Sequence, residues 1–241
     1  MTIELRNVMK KVRLGPVRAT YEDLNIRIEE KTRVAFLGQP SAGVGGIVDL
    51  ICAADAPDSG VVTRSHSISW AIPGSGFLHR HHSLAANARF LARLYEADEK
   101  EYLAKISEMA QLGEFVNGRA DRCPKDVLSS FVFSAGLCLP FDHYILTNVT
   151  AGGKGDAPRF AEAITEIGKR AGFLLVTSNI KAAQQFCDQA YVFAEGKATY
   201  FDNMEAAAEF FGSLAAEGDD NDSFFEADEE LQDLVNMDFV P

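Results

Sequence analysis

An α/β protein with a mainly parallel sheet is what this sequence predicts, and three observations carry the prediction. Short apolar runs bounded by turn residues, Val34-Ala35-Phe36-Leu37, Tyr144-Ile145-Leu146 and Phe173-Leu174-Leu175-Val176, fit fully buried parallel strands. Segments with helical spacing stand between such runs, as at Phe160, Ile164 and Ile167. A glycine-rich stretch, Gly38 to Gly46, follows the first run and leads into Ile47, Val48, Leu50 and Ile51, again at helical spacing.

Along the chain, Met1 to Arg6 alternates as a strand and contains no apolar signal core. Leu24, Ile26 and Ile28 alternate as a half-buried strand, and Ser67 to Ile72 does so again. The middle third turns helical. Ser83 is placed to cap a helix holding Phe90, Leu91 and Leu94, and a second follows Asp98 with Leu103, Ile106 and Met109 on one face. A third runs from about Lys125 to Leu139, so that residues 84–140 read as a helical insert. Asp156 and Pro158 open a helix that Gly172 closes. A helix with Ile180, Ala183 and Phe186 follows, then a hairpin turning at Glu195-Gly196, then a last helix from Met204 to Phe211.

The 241 residues carry a net charge of -12, unevenly spread. Residues 217–241 hold ten acids and no Lys or Arg, so residues 1–216 are nearly neutral, with 25 acids against 23 bases. The expected organisation is one domain over 1–216 and an acidic, disordered tail over 217–241. No basic face suited to nucleic acid is evident. The longest uncharged run, Val127 to Phe141, contains Pro140 and is too short for a membrane span. Cys52, Cys123, Cys138 and Cys187 show no metal or redox spacing and read as reduced thiols. A soluble, cytoplasmic chain is expected.

A phosphate-binding loop reads Gly-x-x-x-x-Gly-Lys-Ser/Thr between a buried strand and a helix. Here the text is Gly38-Gln39-Pro40-Ser41-Ala42-Gly43-Val44-Gly45-Gly46, with Val44 at the lysine position and Gly45 at the hydroxyl position. The candidate anion-binding residues are Gly38, Ser41, Ala42, Gly43, Val44, Gly45 and Gly46. Taken alone, this is also what a plain strand-to-helix turn looks like.

Its neighbours add to it. Tyr21-Glu22-Asp23-Leu24-Asn25-Ile26, Ala53 to Gly60, Ile68-Ser69-Trp70, Asn87-x-Arg89-Phe90, Phe141-Asp142-x-Tyr144 and Phe186-Cys187-Asp188 follow in order over residues 1–212. With these the chain resembles the nucleotide-binding subunits of ABC transporters, most closely those serving capsular and O-antigen polysaccharide exporters. The resemblance implies a P-loop NTPase fold with a RecA-like core, a small antiparallel β subdomain and a helical subdomain at about 84–140. It implies ATP with Mg²⁺ as cofactors, a membrane subunit as partner, and a homodimer or a heterodimer with another nucleotide-binding subunit. It also implies a peripheral place at the inner face of the cell membrane.

The resemblance further says where chemistry ought to stand, and this chain departs there. The adenine-stacking aromatic matches Val12. The metal-binding Asp and catalytic Glu match Thr147 and Asn148. The signature Ser-Ser-Gly-Met matches Pro124-Lys125-Asp126-Val127, and the switch His matches Asn179. A charge-assisted hydrogen bond contributes roughly 1.5–3 kcal/mol. Losing the lysine and two supports of Mg²⁺ therefore weakens ATP binding by about 5 kcal/mol, roughly 10³- to 10⁴-fold. Gly43, Gly45 and Gly46 could still offer amides to an anion at the helix start. In this family each ATP sits between one subunit's loop and its partner's signature, so a chain lacking both damages both sites of any dimer.

Three readings follow: a degenerate subunit acting as scaffold or regulator, with no catalytic residue and no metal site; an ATP-binding or ATP-hydrolysing subunit using other residues; and a free-standing regulatory module that binds protein through its tail. His79-Arg80-His81-His82 is the densest histidine cluster, but neighbours in sequence splay apart, so a surface contact is expected there rather than a metal.

Overall fold

The computed structural model describes residues 2–14, 17–147 and 157–215. Two compact units emerge, each with its own contacts. Of the described residues, the first holds those up to Ala71, Phe141–Thr147 and 165–215; the second holds Ile72–Pro140 and 157–164.

In the first unit, β1 (Thr2–Leu14) pairs antiparallel with β2 (Val17–Glu29) and with β4 (Ser59–Arg64), in the order β2-β1-β4. The larger sheet runs β5-β6-β7-β3-β8-β9, from β5 (Ile68–Ile72), β6 (His143–Leu146), β7 (Gly172–Thr177), β3 (Arg33–Gly38), β8 (Gln189–Ala194) and β9 (Lys197–Phe201). The β6-β7, β7-β3 and β3-β8 pairs are parallel and β9 closes an antiparallel hairpin. Glu195 and Gly196 both take positive φ (49° and 73°), the twist that joins adjacent antiparallel strands tightly. Residues of β1, β2, β3, β7 and β8 share one apolar cluster with α1 (Val44–Ile51). Arg64 donates from its guanidinium to the Leu50 and Ile51 carbonyls, closing the C-terminal end of α1 where cations are favoured.

The antiparallel sheet is much larger than the alternation predicts. β1 and β2 run 13 residues each, and β4 is a strand that the sequence reading does not anticipate. Register shifts between Leu5, Val8 and Lys10 break the period of two, with Asn7 and Asp23 at positive φ and joined side chain to side chain at 2.7 Å. The last helix also extends further, α7 covering Met204–Ala215.

The second unit is helical: α2 (Leu84–Leu94), α3 (Glu99–Met109) and α4 (Lys125–Leu137). Ser83 accepts from the Ala86 amide at 3.1 Å, so the expected cap forms, and Asp98 accepts from the Lys100 and Glu101 amides at 3.0 and 2.8 Å, capping α3 as well. Tyr102 of α3 donates to the Ala135 carbonyl of α4 at 2.6 Å. Helix α5 (Ala157–Arg170) spans the boundary of the two units, and α6 (Ile180–Phe186) belongs to the first. Asp156, expected to open α5, lies outside the described residues, as do Asn148 and the acidic segment 217–241.

Candidate functional site

Strand β3 delivers the chain to Gly38 at its buried C-terminal end, where a parallel sheet places its connecting loops. Gln39 is extended, Pro40–Ala42 make one turn of 3₁₀ helix, and Gly43 takes the left-handed conformation (φ 70°, ψ 31°) before α1 begins at Val44. Pro40 suits the first position of a turn, where its missing N–H costs nothing. Gly43 supplies a backbone conformation that a β-carbon resists.

Three of the loop's amides are turned inward. Ala42 donates to Gln39 at 2.9 Å, Gly43 to Pro40 at 3.2 Å and Gly46 to Gly43 at 3.1 Å. Each is an amide that an anion would otherwise recruit. The space above the loop is filled as well. Val44 is 1% exposed, and its γ-methyl lies so close to Gly38 that a β-carbon there would meet it at 2.5 Å. Val12 of β1 lies over the other side: a β-carbon on Gly46 would come within 2.7 Å of it, and one on Gly43 within 3.1 Å. From β2, Ala19 packs on Gly43 and the Tyr21 hydroxyl donates to the Ala42 carbonyl at 2.5 Å. Burial pushes the Tyr21 phenol far above its usual range, so it remains a donor.

Tyr21→Phe keeps the ring against Phe193 (centroids 6.0 Å) and removes that bond. It should cost about 1 kcal/mol in urea denaturation with an unchanged m value.

The seven candidate residues thus form one elbow: Gly38, Gly43, Val44 and Gly46 buried, Ala42 and Gly45 half-buried, Ser41 exposed. No lysine is seen to replace the missing one from nearby in β1. Lys10 is 7% exposed, but its ammonium is paired with Asp55 at 2.6 Å and bonded to the Ala56 carbonyl at 2.8 Å. Thr147 sits half-buried just after β6. Asn179 caps α6, its side-chain oxygen accepting from the Ala182 amide at 3.2 Å. In the helical unit, Pro124, Lys125 and Asp126 lie exposed at the start of α4, which has no side-chain cap. Sequence reading missed Tyr21 and Ala19 as parts of the loop's surroundings; the signal was the two-residue spacing that puts Ala19 and Tyr21 on one face of β2.

Elsewhere, His79 and His82 stack at 4.1 Å between centroids, and His81 meets Asp121 at 3.0 Å and Arg119 at 2.9 Å. Among the described residues no group of three or more His, Cys, Asp or Glu is arranged to hold a metal, and no helix is long and apolar enough to cross a membrane. At the N-terminal ends of β6 and β7 a histidine pair lies with centroids 5.7 Å apart. His143 is fully buried, and neither its ring nitrogens nor those of His66 have a hydrogen-bond partner among the described residues. Its ring occupies the place of a side chain on Gly172, where a β-carbon would approach Nδ1 to 2.5 Å.

No family profile matches the chain. Among curated proteins it is 31% identical over 211 residues to the polysialic acid transport ATP-binding protein KpsT of Escherichia coli, covering 85% of this chain and 93% of that protein. It is 29% identical to the capsule polysaccharide export ATP-binding protein CtrD of Neisseria meningitidis serogroup B, over 82% of this chain and 92% of that one. Among solved structures, an ATP-binding subunit of an ABC transporter superposes with a TM-score of 0.72 at 16% identity, covering 90% of this chain and 99% of that one. A dimeric ATP-binding cassette in a post-hydrolysis state with ADP and phosphate gives 0.69 at 17% identity, over 83% of this chain and 98% of that one. The parallel sheet with its glycine-rich elbow, the antiparallel sheet beside it and an identity that spans most of both chains agree: the chain belongs to the ABC transporter ATP-binding subunits of the capsular polysaccharide export type.

Proposed function

We propose that this chain serves a polysaccharide export transporter as a scaffold or regulatory subunit that does not hydrolyse ATP. The names of its relatives support the export setting, and the state of the glycine-rich elbow supports the loss of chemistry. The observation that carries the reading is Val44, a buried apolar side chain where phosphate needs an ammonium. Val12 above Gly43 and Gly46, and amides bonded to the loop's own carbonyls, act in the same direction. Gly45 brings no hydroxyl and Thr147 no carboxylate to Mg²⁺, so the residues present do not fit a Mg²⁺-nucleotide. What remains is a fold able to hold partners, peripheral at the inner face of the membrane. Phe90 and Leu94, one turn apart on α2 and exposed at 54% and 60%, supply an apolar surface for a membrane subunit.

Calorimetric titration of the full chain with ATP, with and without Mg²⁺, tests this together with phosphate release. No saturable heat at millimolar nucleotide and no turnover above a buffer blank are expected. Saturable binding or Mg²⁺-dependent turnover would return the chain to the motor subunits.

A further inference from the structure

We propose that the His66–His143 pair is a proton-operated latch: uncharged, the two rings keep strand β5 on β6, and proton uptake releases β5 ahead of the rest of the sheet. The inference does not depend on whether nucleotide binds. β5 stands at one edge of the six-stranded sheet, with β6 as its neighbour. His66 lies in the bend that leads into β5, and His143 is the first residue of β6. The chain leaves the first unit along β5, after Ala71, and re-enters it at Phe141, just before β6. The pair therefore sits on the two strands that lead out to the helical insert and back.

Several ties at this end of β5 run through side chains. Asp142 accepts from the Ser67 amide and hydroxyl at 3.0 and 2.7 Å, and the Ser69 hydroxyl accepts from the Ile145 amide at 2.8 Å. Trp70 meets Phe141 edge to face, with centroids 5.8 Å apart. An edge strand tied in this way can open at less cost than the whole domain.

The rings themselves are set for this. Their centroids lie 5.7 Å apart, and none of their four nitrogens has a hydrogen-bond partner among the described residues. His143 is directly across from Gly172 of β7 and fills the space that a side chain there would take. The Thr32 carbonyl, which shares that space, accepts from the Phe173 amide at 3.0 Å. A proton added to the closed pair would thus charge a buried ring beside a second imidazole, at a high desolvation cost. Opened to water, the same ring takes the proton freely. Asp142 and Glu30 draw a proton toward His66 and the chain's amino group repels it, but the desolvation of His66 outweighs them. Asp142 is held below the usual carboxylate range by Ser67, so it stays charged while the pair titrates.

His143 is pushed down to about 4 when closed and returns toward its ordinary 6.5 when opened. The opening constant of β5 should therefore rise about tenfold from about pH 7.5 to about pH 5.5, with His66 adding in the same direction.

Hydrogen exchange of the full chain, read by peptide mass spectrometry and corrected for the intrinsic pH dependence of amide exchange, tests this. The amides of Ile68–Ile72 should show that rise and stay indifferent to urea up to about 1 M. Those of Val34 to Leu37 in β3, which has a strand on either side, should exchange far more slowly and respond to urea, as global unfolding does. His143→Leu and His66→Leu should each lower the pH response of β5, and the double variant should abolish it with β3 still protected. If β5 and β3 respond alike to pH and urea in the parent chain, proton uptake belongs to global unfolding and the proposal fails. A β5 response that survives the double variant belongs to another group, Asp142 first, and overturns it as well.

Discussion

Acidification from pH 7.5 to pH 4 should remove about 3 kcal/mol of folding stability through one side chain, His143. Burial, and secondly the neighbouring His66, push the His143 imidazole down to about 4 from its ordinary 6.5. The folded protein therefore resists a proton that the unfolded chain accepts near pH 6.5. Stability from this group is full above that value, falls as pH drops from 6.5 to 4, and is level below. The groups facing the pair do not cancel the effect. Asp142 and Glu30 favour protonation of His66 but are outweighed by its desolvation, and Asp142 is already bonded to the Ser67 amide and hydroxyl at 3.0 and 2.7 Å. Urea denaturation at a series of pH values, compared with His143→Leu, measures it. The variant should flatten the profile across this window. It should also match or exceed the parent at pH 7, because it removes two buried ring nitrogens that lack partners among the described residues. An unchanged slope would place the titration elsewhere.

A second large effect is expected at the elbow. Gly46→Ala inserts a β-carbon within 2.7 and 2.8 Å of the two γ-methyls of Val12, in a fully packed region. Overpacking of this kind should cost about 2–3 kcal/mol. Val12→Ala alone costs about 1–2 kcal/mol as a partial cavity. The double variant should be more stable than the sum of the two losses by more than about 1 kcal/mol, since the second change makes room for the first. Additive losses in the denaturation midpoint would mean that Val12 does not lie on the loop.

Much of the larger sheet was legible because its strands are short, apolar on both faces and set off by turns. Val34 to Leu37 and Leu174 to Val176 are buried almost throughout. The caps at Ser83 and Asp98 were legible for a related reason: each is a local interaction written within four residues. The antiparallel sheet was not. Its bulges at Asn7 and Asp23 shift the phase, so Val8 and Val12 lie inward on a count that the first strand residues do not predict. At the site, sequence identified Val44 and Gly45 as departures from a phosphate loop. It could not tell what stands in their place, because that depends on Val12, Ala19 and Tyr21, more than 20 residues away. The unpartnered His66–His143 pair was likewise invisible, being made by two elements 77 residues apart.

Asn179 shows what the proposed loss of ATP hydrolysis would leave behind. Its side chain begins α6, so a histidine introduced there would strip that helix of its first-turn acceptor, at about 1 kcal/mol. A lysine at position 44 would have to carry its charge into a spot now enclosed by hydrocarbon. On the proposed reading, each single step back toward a nucleotide machine would be uphill before any benefit arrived, and the arrangement would work as a ratchet, reversible only by several coordinated changes.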